Sequence, residues 1–423
     1  MPSPQHADAD NVLRAHDVEG IGNGRERVMA TTGDANASDR LAEPLCIATD
    51  TALLIDTDKG VRPCCAYWGD HLPGSPSVAR LGEAPLSAIL AGPVWQSLRQ
   101  DLAAQRVPTG CRDCIERERQ TGNSQRLHLE RLKSPEWRDG ITYLELNSSN
   151  LCNLQCRHCN ALFSSLWSVH ERRHGRAAPP VTRPDPELLL RELGRVDLSR
   201  LAYVSLKGGE PMLNDDVPML LRHLDEIGVL GRITIYIVSN GTLLTPTVRS
   251  LLLKAREVAV CISIDGYGEV QTYIRHGGSD LRLVEETIAA FAAMPNVTLD
   301  RNTAVMAYNV FSLDRVDAWW SDLARRIPGR YRKSHYDSFV LWPEELSVHC
   351  LQDPTRARLH AKYETLDPNL YAPILRVLSQ PFAGPVMHDA FVRRTRRDDE
   401  ELGRSVLDAV PELAEEMVLL GGP

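Results

Sequence analysis

The chain has 423 residues, 43% of them hydrophobic and 25% charged, with a formal net charge of −8. That length accommodates two or three domains of ~100–200 residues, and the composition is that of a soluble globular protein. The acidic balance excludes a basic field for nucleic acid or an anionic membrane, no apolar run reaches the ~18–20 residues of a membrane span, and no secretory signal is evident.

In a chain expected to stay in the reducing cytoplasm, its 10 cysteines read as metal ligands and thiols, not disulfides. Residues 1–40 are rich in Asp, Asn, Gly, Ala and Thr without apolar period, which predicts a disordered tail with a short helix at 11–17. Residues 41–130 carry Cys46, Cys64, Cys65, Cys111 and Cys114. Within them, runs at 52–55 and 61–64 flank a hairpin signal at 56–60, and 86–105 has helical apolar spacing before a C-x2-C pair. Four thiolates suffice to close around a metal: Cys46, one of Cys64 and Cys65, Cys111 and Cys114. A zinc ribbon is the plain alternative, although it would want two C-x2-C units and only one is present. Cys64 and Cys65 point to opposite faces of any strand; Cys64, which follows Pro63, is the preferred ligand.

From residue 141 onward strands and helices alternate. Apolar runs at 141–146, 202–206, 233–238, 258–264, 297–305 and 338–342 predict strands, separated by helical patterns at 161–173, 186–195, 216–227, 247–255, 281–293 and 313–326. This is an α/β pattern, implying a parallel sheet with right-handed crossovers and ligands beyond the carboxyl ends of the strands. Residues 346–423 form a C-terminal extension, charged and largely helical in pattern, whose role is open.

The chemistry concentrates after the first of these strands. The string LCNLQCRHCN at 151–160 spaces Cys152, Cys156 and Cys159 as C-x3-C-x2-C. Three thiolates in one short loop can hold three corners of an iron–sulfur cluster and leave one metal position open; a Cys3His zinc site using His158 is the alternative. Three further strings end predicted strands: KGGEP at 207–211, SNGT at 239–242 and SIDG at 263–266. Gly208 and Gly209 lack a Cβ, so a ligand can approach their backbone. Ser239 and Asn240 offer short hydrogen-bonding groups, and Ser263, Asp265 and Cys261 share one strand parity. One competing motif is HERRH at 170–174, an H-E-x-x-H zincin signature. Gly175 and the pair at 179–180 end that helix at once among charged residues, so a solvated polar face is preferred to a metalloprotease site.

The loop and the three strings, in this order, resemble the radical S-adenosylmethionine (SAM) enzymes over about residues 141–342. The resemblance implies an open, partial (β/α)6 TIM-like barrel at 131–345 and a [4Fe–4S] cluster on Cys152, Cys156 and Cys159 that chelates SAM through its open iron. It puts the backbone near His158 against the adenine and the methionyl amine at Gly208 and Gly209, with Glu210 stabilising the turn or meeting the amine. Ser239 and Asn240 would face the ribose, Ser263 and Asp265 would face SAM from the next strand, and Arg275 would meet its carboxylate unless it is a surface arginine. Residues 41–130 resemble Twitch or SPASM-like modules, which implies an auxiliary [4Fe–4S] cluster. The module here precedes the core instead of following it, and the spacing from Gly60 fits Cys65 better than Cys64.

The chemistry so implied is reductive cleavage of SAM, fed by a flavodoxin or ferredoxin, and removal of a hydrogen atom from substrate by a 5′-deoxyadenosyl radical. Cys261 and Cys350 are candidate hydrogen-atom donors for an epimerisation, with small core residues as the plain alternative. An auxiliary cluster accepting an electron would instead give dehydrogenation or a crosslink. The stretch before the core is taken up by cysteines, with no peptide-binding module, which favours a small polyhydroxylated or amino substrate over a peptide. Lys207, Arg301, Tyr308 and Trp342 sit near predicted strand ends as pocket candidates. From another class altogether, a non-catalytic iron–sulfur carrier or sensor would keep the cysteines without needing the three later strings.

Overall fold

A computed structural model describes residues 44–72, 75–121, 123–133, 140–147, 149–183 and 185–421. The expected tail at 1–40, with its helix at 11–17, lies outside them. The N-terminal segment supplies β1 (Ala52–Ile55), β2 (Gly60–Arg62) and β3 (Ala79–Arg80), with β1 and β2 antiparallel around the anticipated turn. The helical pattern at 86–105 splits into Leu86–Leu90 and Pro93–Ala103, because Pro93 has no N–H to continue the first helix but suits the first turn of the second. The core follows with β4 (Tyr143–Leu146), β5 (Gln155–Cys156), β6 (Tyr203–Leu206), β7 (Thr234–Ser239), β8 (Glu257–Ser263), β9 (Arg275–His276) and β10 (Val297–Asn302).

Eight strands form one sheet in the order β10-β8-β7-β6-β4-β1-β2-β3, open at both edges. Six are parallel, but not the six expected. The run at 338–342 is no strand: its one bridge joins Phe339 to Val305, three residues past the end of β10, and Pro343, without an N–H, follows at once. The sixth parallel strand is β1, paired with β4 from Ala52↔Tyr143 to Ile55↔Leu146. The cysteine-bearing N-terminal segment therefore continues the core sheet.

Side-chain alternation divides this sheet into two unlike faces. Outward, Leu53, Leu144, Val204, Ile235, Val260 and Ile262 are fully buried under the helices, each stabilising the fold by ~1.5–3 kcal/mol; Ile262→Ala would cost ~2–5 kcal/mol through the cavity it leaves. Inward, Tyr143, Tyr203, Tyr236, Ala259 and Cys261 pack with Cys64, Tyr67, Leu98 and Leu129 of the N-terminal segment. Tyr143 and Tyr203 stack at 5.4 Å, and His128 meets both rings edge-on.

The C-terminal extension is helical at Asp353–Glu364, Pro368–Leu378 and Pro385–Leu402. It builds its own core with Tyr273, Tyr308, Tyr363 and Phe391. Cys350 lies in that core, fully buried in the turn Val348–Cys350, with its carbonyl facing His388. It packs away from the inner face of the sheet and is withdrawn as a hydrogen-atom donor. Tyr308 is engaged there too, its hydroxyl 2.8 Å from Thr395. Arg301 turns to Asp317 at 2.9 Å and stacks over Tyr336. Both hold the fold, not a pocket. Among the described residues no helix is long and apolar enough to cross a membrane.

Candidate active site

The loop after β4 is folded by its own backbone and by three neighbours. Within it, Cys159 N donates to Cys156 O at 2.9 Å, closing the turn between two cysteines. The short strand β5 pairs antiparallel with β9, which brings Arg275 opposite Cys156. The following helix, Ser165–Arg173, starts where the Ser164 hydroxyl accepts from Trp167 N, a side-chain N-cap; the indole of Trp167 then donates to Cys156 O at 2.8 Å. The three sulfurs sit at the sheet's carboxyl end, Cys156 buried, Cys152 and Cys159 partly so. Burial pushes all three thiols up, Cys156 to about 11 and Cys159 to about 12, so metal would have to displace their protons.

The KGGEP turn docks directly on this loop. Gly209 N donates to Ser149 O at 3.0 Å and Glu210 N to Leu151 O at 2.7 Å. A Cβ on Gly208 would come 2.8 Å from Ser149 O, and one on Gly209 would come 2.2 Å from Leu151 O. Gly208 moreover has φ +112°, a conformation that side chains disfavour. The glycines thus let turn and loop backbones touch.

Glu210 ties in the third string. Its carboxylate accepts from Ser239 Oγ at 2.9 Å, Asn240 N at 2.7 Å and Met212 N at 3.1 Å. Burial pushes its pKa up to about 7 against these hydrogen bonds. The Ser239 hydroxyl, which also accepts from Gly241 N, is accordingly engaged within the protein and does not present itself to a ribose. Asn240 reaches the cysteine loop, its amide donating to Asn153 Oδ1 at 2.9 Å and lying 4.0 Å from Cys152 Sγ. Asn153 in turn donates to Thr242 Oγ1.

A second network closes the other side. Asp265 accepts from Ala304 N at 2.8 Å and pairs with Arg275 at 2.8 Å. Arg275 is buried, not on the surface, and lies 3.8 Å from Cys156 Sγ. His158 stands 3.7 Å from Asp265; burial pulls its pKa down to about 4, which leaves it neutral, and its Nδ1 has no hydrogen-bond partner. Arg157, fully buried, stacks on Tyr273 at 3.7 Å and pairs with Asp399 of the C-terminal helix at 2.7 Å. Arg394 donates to Arg157 O at 3.0 Å. The C-terminal extension therefore clamps the cysteine loop, a role its sequence left open.

Below the loop, the inner face carries polar groups. Glu145 accepts from Tyr143 OH at 2.9 Å and pairs with Lys207 at 3.3 Å. Cys261 is fully buried beside Tyr236, with Asp300 opposite it on β10. Ser263 stands two residues further along the same face, opposite Asn302. Among the described residues, Asn147 Oδ1 and Asn302 Oδ1 are buried here without a hydrogen-bond partner, while Asp300 Oδ2 lies 3.7 Å from the Arg332 guanidinium. Asp300, Asn302 and Asn147 were not singled out from the sequence, although a polar residue at every second place of YLELN and VTLDRN is a readable signal. Trp342 lies outside this constellation, half-buried before Pro343.

The N-terminal cysteines form a separate site. Cys46, Cys64, Cys111 and Cys114 line one pocket, walled by Leu45, Leu98, Leu102 and Tyr67; Cys65 is buried but does not line it. Burial pushes Cys46 and Cys111 up to about 12 and Cys64 well above its usual value. A single zinc at ~2.3 Å from each thiolate would need sulfurs ~3.8 Å apart. Among the described residues neither cysteine set, with or without His158, gathers three ligand atoms within 4.8 Å.

Residues 146–303 match the model of the Radical SAM superfamily. The match takes in the cysteine loop and the KGGEP, SNGT and SIDG strings. A 200-residue stretch is 26% identical to the radical SAM cyclopropyl synthase TigE of Paramaledivibacter caminithermalis, covering 46% of this chain and 40% of that protein; the chain thus spans under half of that relative's length. Among solved structures, it is similar to anSMEcpe with bound AdoMet (16% identity, 62% of this chain, 68% of that one, TM-score 0.36). It is also similar to Streptococcus suis SuiB bound to the precursor peptide SuiA (17% identity, 53% and 45%, TM-score 0.31).

Proposed function

We propose that this protein is a radical SAM enzyme that removes a hydrogen atom from a small hydroxylated or amino substrate on the inner face of its sheet, with an auxiliary cluster in the N-terminal pocket. The observation that carries the reading is the union of the cysteine loop with the glycine–glycine–glutamate turn, through Glu210 N to Leu151 O at 2.7 Å. The residues fit the groups they would hold. Cys152, Cys156 and Cys159 present three thiols with no fourth ligand drawn in, and the neutral His158 beside them has an unpartnered Nδ1. When bound, the cluster and SAM supply one-electron cleavage of a carbon–sulfur bond and, through it, hydrogen-atom abstraction from carbon.

The chain's own groups position and select. Asn153 and Asn240 brace the loop against the third strand, and Arg275, held by Asp265, sets a positive charge beside Cys156. On the inner face, Asn147 Oδ1 and Asn302 Oδ1 are buried acceptors without donors. Each costs ~1–3 kcal/mol while unpaired, so the ligand that relieves them brings hydroxyl or ammonium donors. Cys261 shares this face and is the candidate to return a hydrogen atom in an epimerisation. Cys46, Cys64, Cys111 and Cys114 would hold the auxiliary cluster, the electron acceptor in a dehydrogenation. TigE's name denotes ring formation, a third outcome open to the same abstraction.

The reading is tested by anaerobic reconstitution with iron and sulfide, followed by SAM and dithionite. 5′-Deoxyadenosine is expected from the wild type and not from Cys159→Ala. An iron-loaded wild type that makes none would mark an electron carrier. With candidate amines, polyols and peptides in deuterated solvent, uptake of one deuterium at carbon indicates epimerisation and loss of two hydrogens indicates dehydrogenation.

A further inference from the structure

The H-E-x-x-H string remains outside this account, and its surroundings differ from expectation. Its face is only partly solvated: His174 is exposed, but the His170 side chain is 11% exposed and Glu401, from the helix Pro385–Leu402, packs on it at 14%. Trp167 covers the His170 ring edge-on at 5.1 Å.

We propose that His170, His174 and Glu401 form a zinc-type metal site that fastens the C-terminal helix to the helix behind the cysteine loop. One ligand atom from each lies within 4.8 Å of the others, the one such trio among the described residues. The histidines stand one helical turn apart on a shared face, ring centroids 4.3 Å apart. Glu401 Oε2 approaches His170 Nε2 to 2.7 Å. An ion entering here replaces that hydrogen bond with two coordinate bonds.

The surrounding contacts are those a metal site uses to aim its ligands. His174 Nδ1 faces the His170 carbonyl at 2.9 Å, which keeps its proton there and turns the Nε2 lone pair outward, as in ligating imidazoles. Arg176 donates to both Glu401 oxygens at 2.8 Å and fixes the orientation of the carboxylate. Each oxygen keeps a second lone pair. The guanidinium opposes a cation, but Glu171 also pairs with it, so two carboxylates outweigh one positive charge. Two imidazoles and one carboxylate suit zinc; magnesium and calcium want all-oxygen sets. Because Glu171 is engaged with Arg176, it is not poised as the general base of a hydrolase, and the site is structural. Asp399, two residues before Glu401, holds Arg157 of the cysteine loop, so the ion would stiffen that clamp.

The test uses reconstituted holoprotein, whose cysteines are already occupied, incubated with zinc sulfate and desalted. The wild type is expected to retain about one zinc per chain without losing iron, and its melting temperature should rise. His174→Ala, at an exposed position, should lower zinc affinity by at least ~10-fold with iron unchanged, and zinc should no longer raise its melting temperature. Glu401→Gln should behave likewise. Wild type that retains no zinc, or both variants retaining as much as wild type, would overturn the site. Since iron and zinc are counted separately, failure of the radical SAM reading leaves this result interpretable.

Discussion

The molecule carries two cysteine sites that differ in number, wall and neighbours. The loop site offers three sulfurs set among Asn240, Arg275 and His158, whose Nδ1 has no hydrogen-bond partner. The N-terminal pocket offers four, lined mainly by leucines, alanines and a tyrosine, with Arg126 and Thr49 the polar exceptions. Three ligands and polar neighbours leave a metal corner for a substrate-like ligand; four ligands and an apolar wall close it. On the proposed reading, iron would support reactivity at the first site and storage or transfer of electrons at the second.

The comparison breaks most sharply at a loop ligand. Cys156→Ala should lower 5′-deoxyadenosine formation by more than the ~10–100-fold that losing an outer partner costs, assayed anaerobically with SAM and dithionite. In the pocket the expectation is different in kind. Cys64→Ala should lower bound iron from about eight to about four atoms per chain and leave substrate-independent SAM cleavage measurable. Cys65→Ala, which removes a thiol that does not line the pocket, should leave the iron content unchanged. Equal iron loss in both variants would contradict the division of these neighbours.

Smaller effects come from what braces the loop. Asp399→Ala strands the buried Arg157 guanidinium and should destabilise by ~3–5 kcal/mol, seen as a lower denaturant midpoint. Glu210 gives a pH signature. Its folded pKa of about 7 lies above the unfolded carboxylate value, so the folded state binds the extra proton. The stability this contributes is complete below pH ~4.5, declines through pH 7 and is absent above. Glu210→Gln, which cannot titrate, should flatten that limb in urea titrations across pH 5–8.

How much of this was legible beforehand depends on the range of the interaction. The three strings at strand ends and the cysteine loop are local signals, and the sheet brings them together. The sixth parallel strand was misplaced because an apolar run at 338–342 looks the same whether or not an edge accepts it; only tertiary pairing assigns that role to Ala52–Ile55. The Ser239 hydroxyl reads as available in SNGT, yet its partner Glu210 lies 29 residues away. Similarly, charged neighbours made all of HERRH look solvated, while Glu401, 231 residues distant, covers His170 and leaves His174 exposed. Cys350 could not be told from a reactive thiol without knowing that the C-terminal helices enclose it.

The most direct measurement is electron paramagnetic resonance of the dithionite-reduced Cys64→Ala holoprotein, in which the loop cluster should dominate, with and without SAM. The account predicts that SAM shifts the g-values, because the sulfonium's amine and carboxylate take the open corner of the loop site. A spectrum identical in the presence and absence of saturating SAM would contradict it.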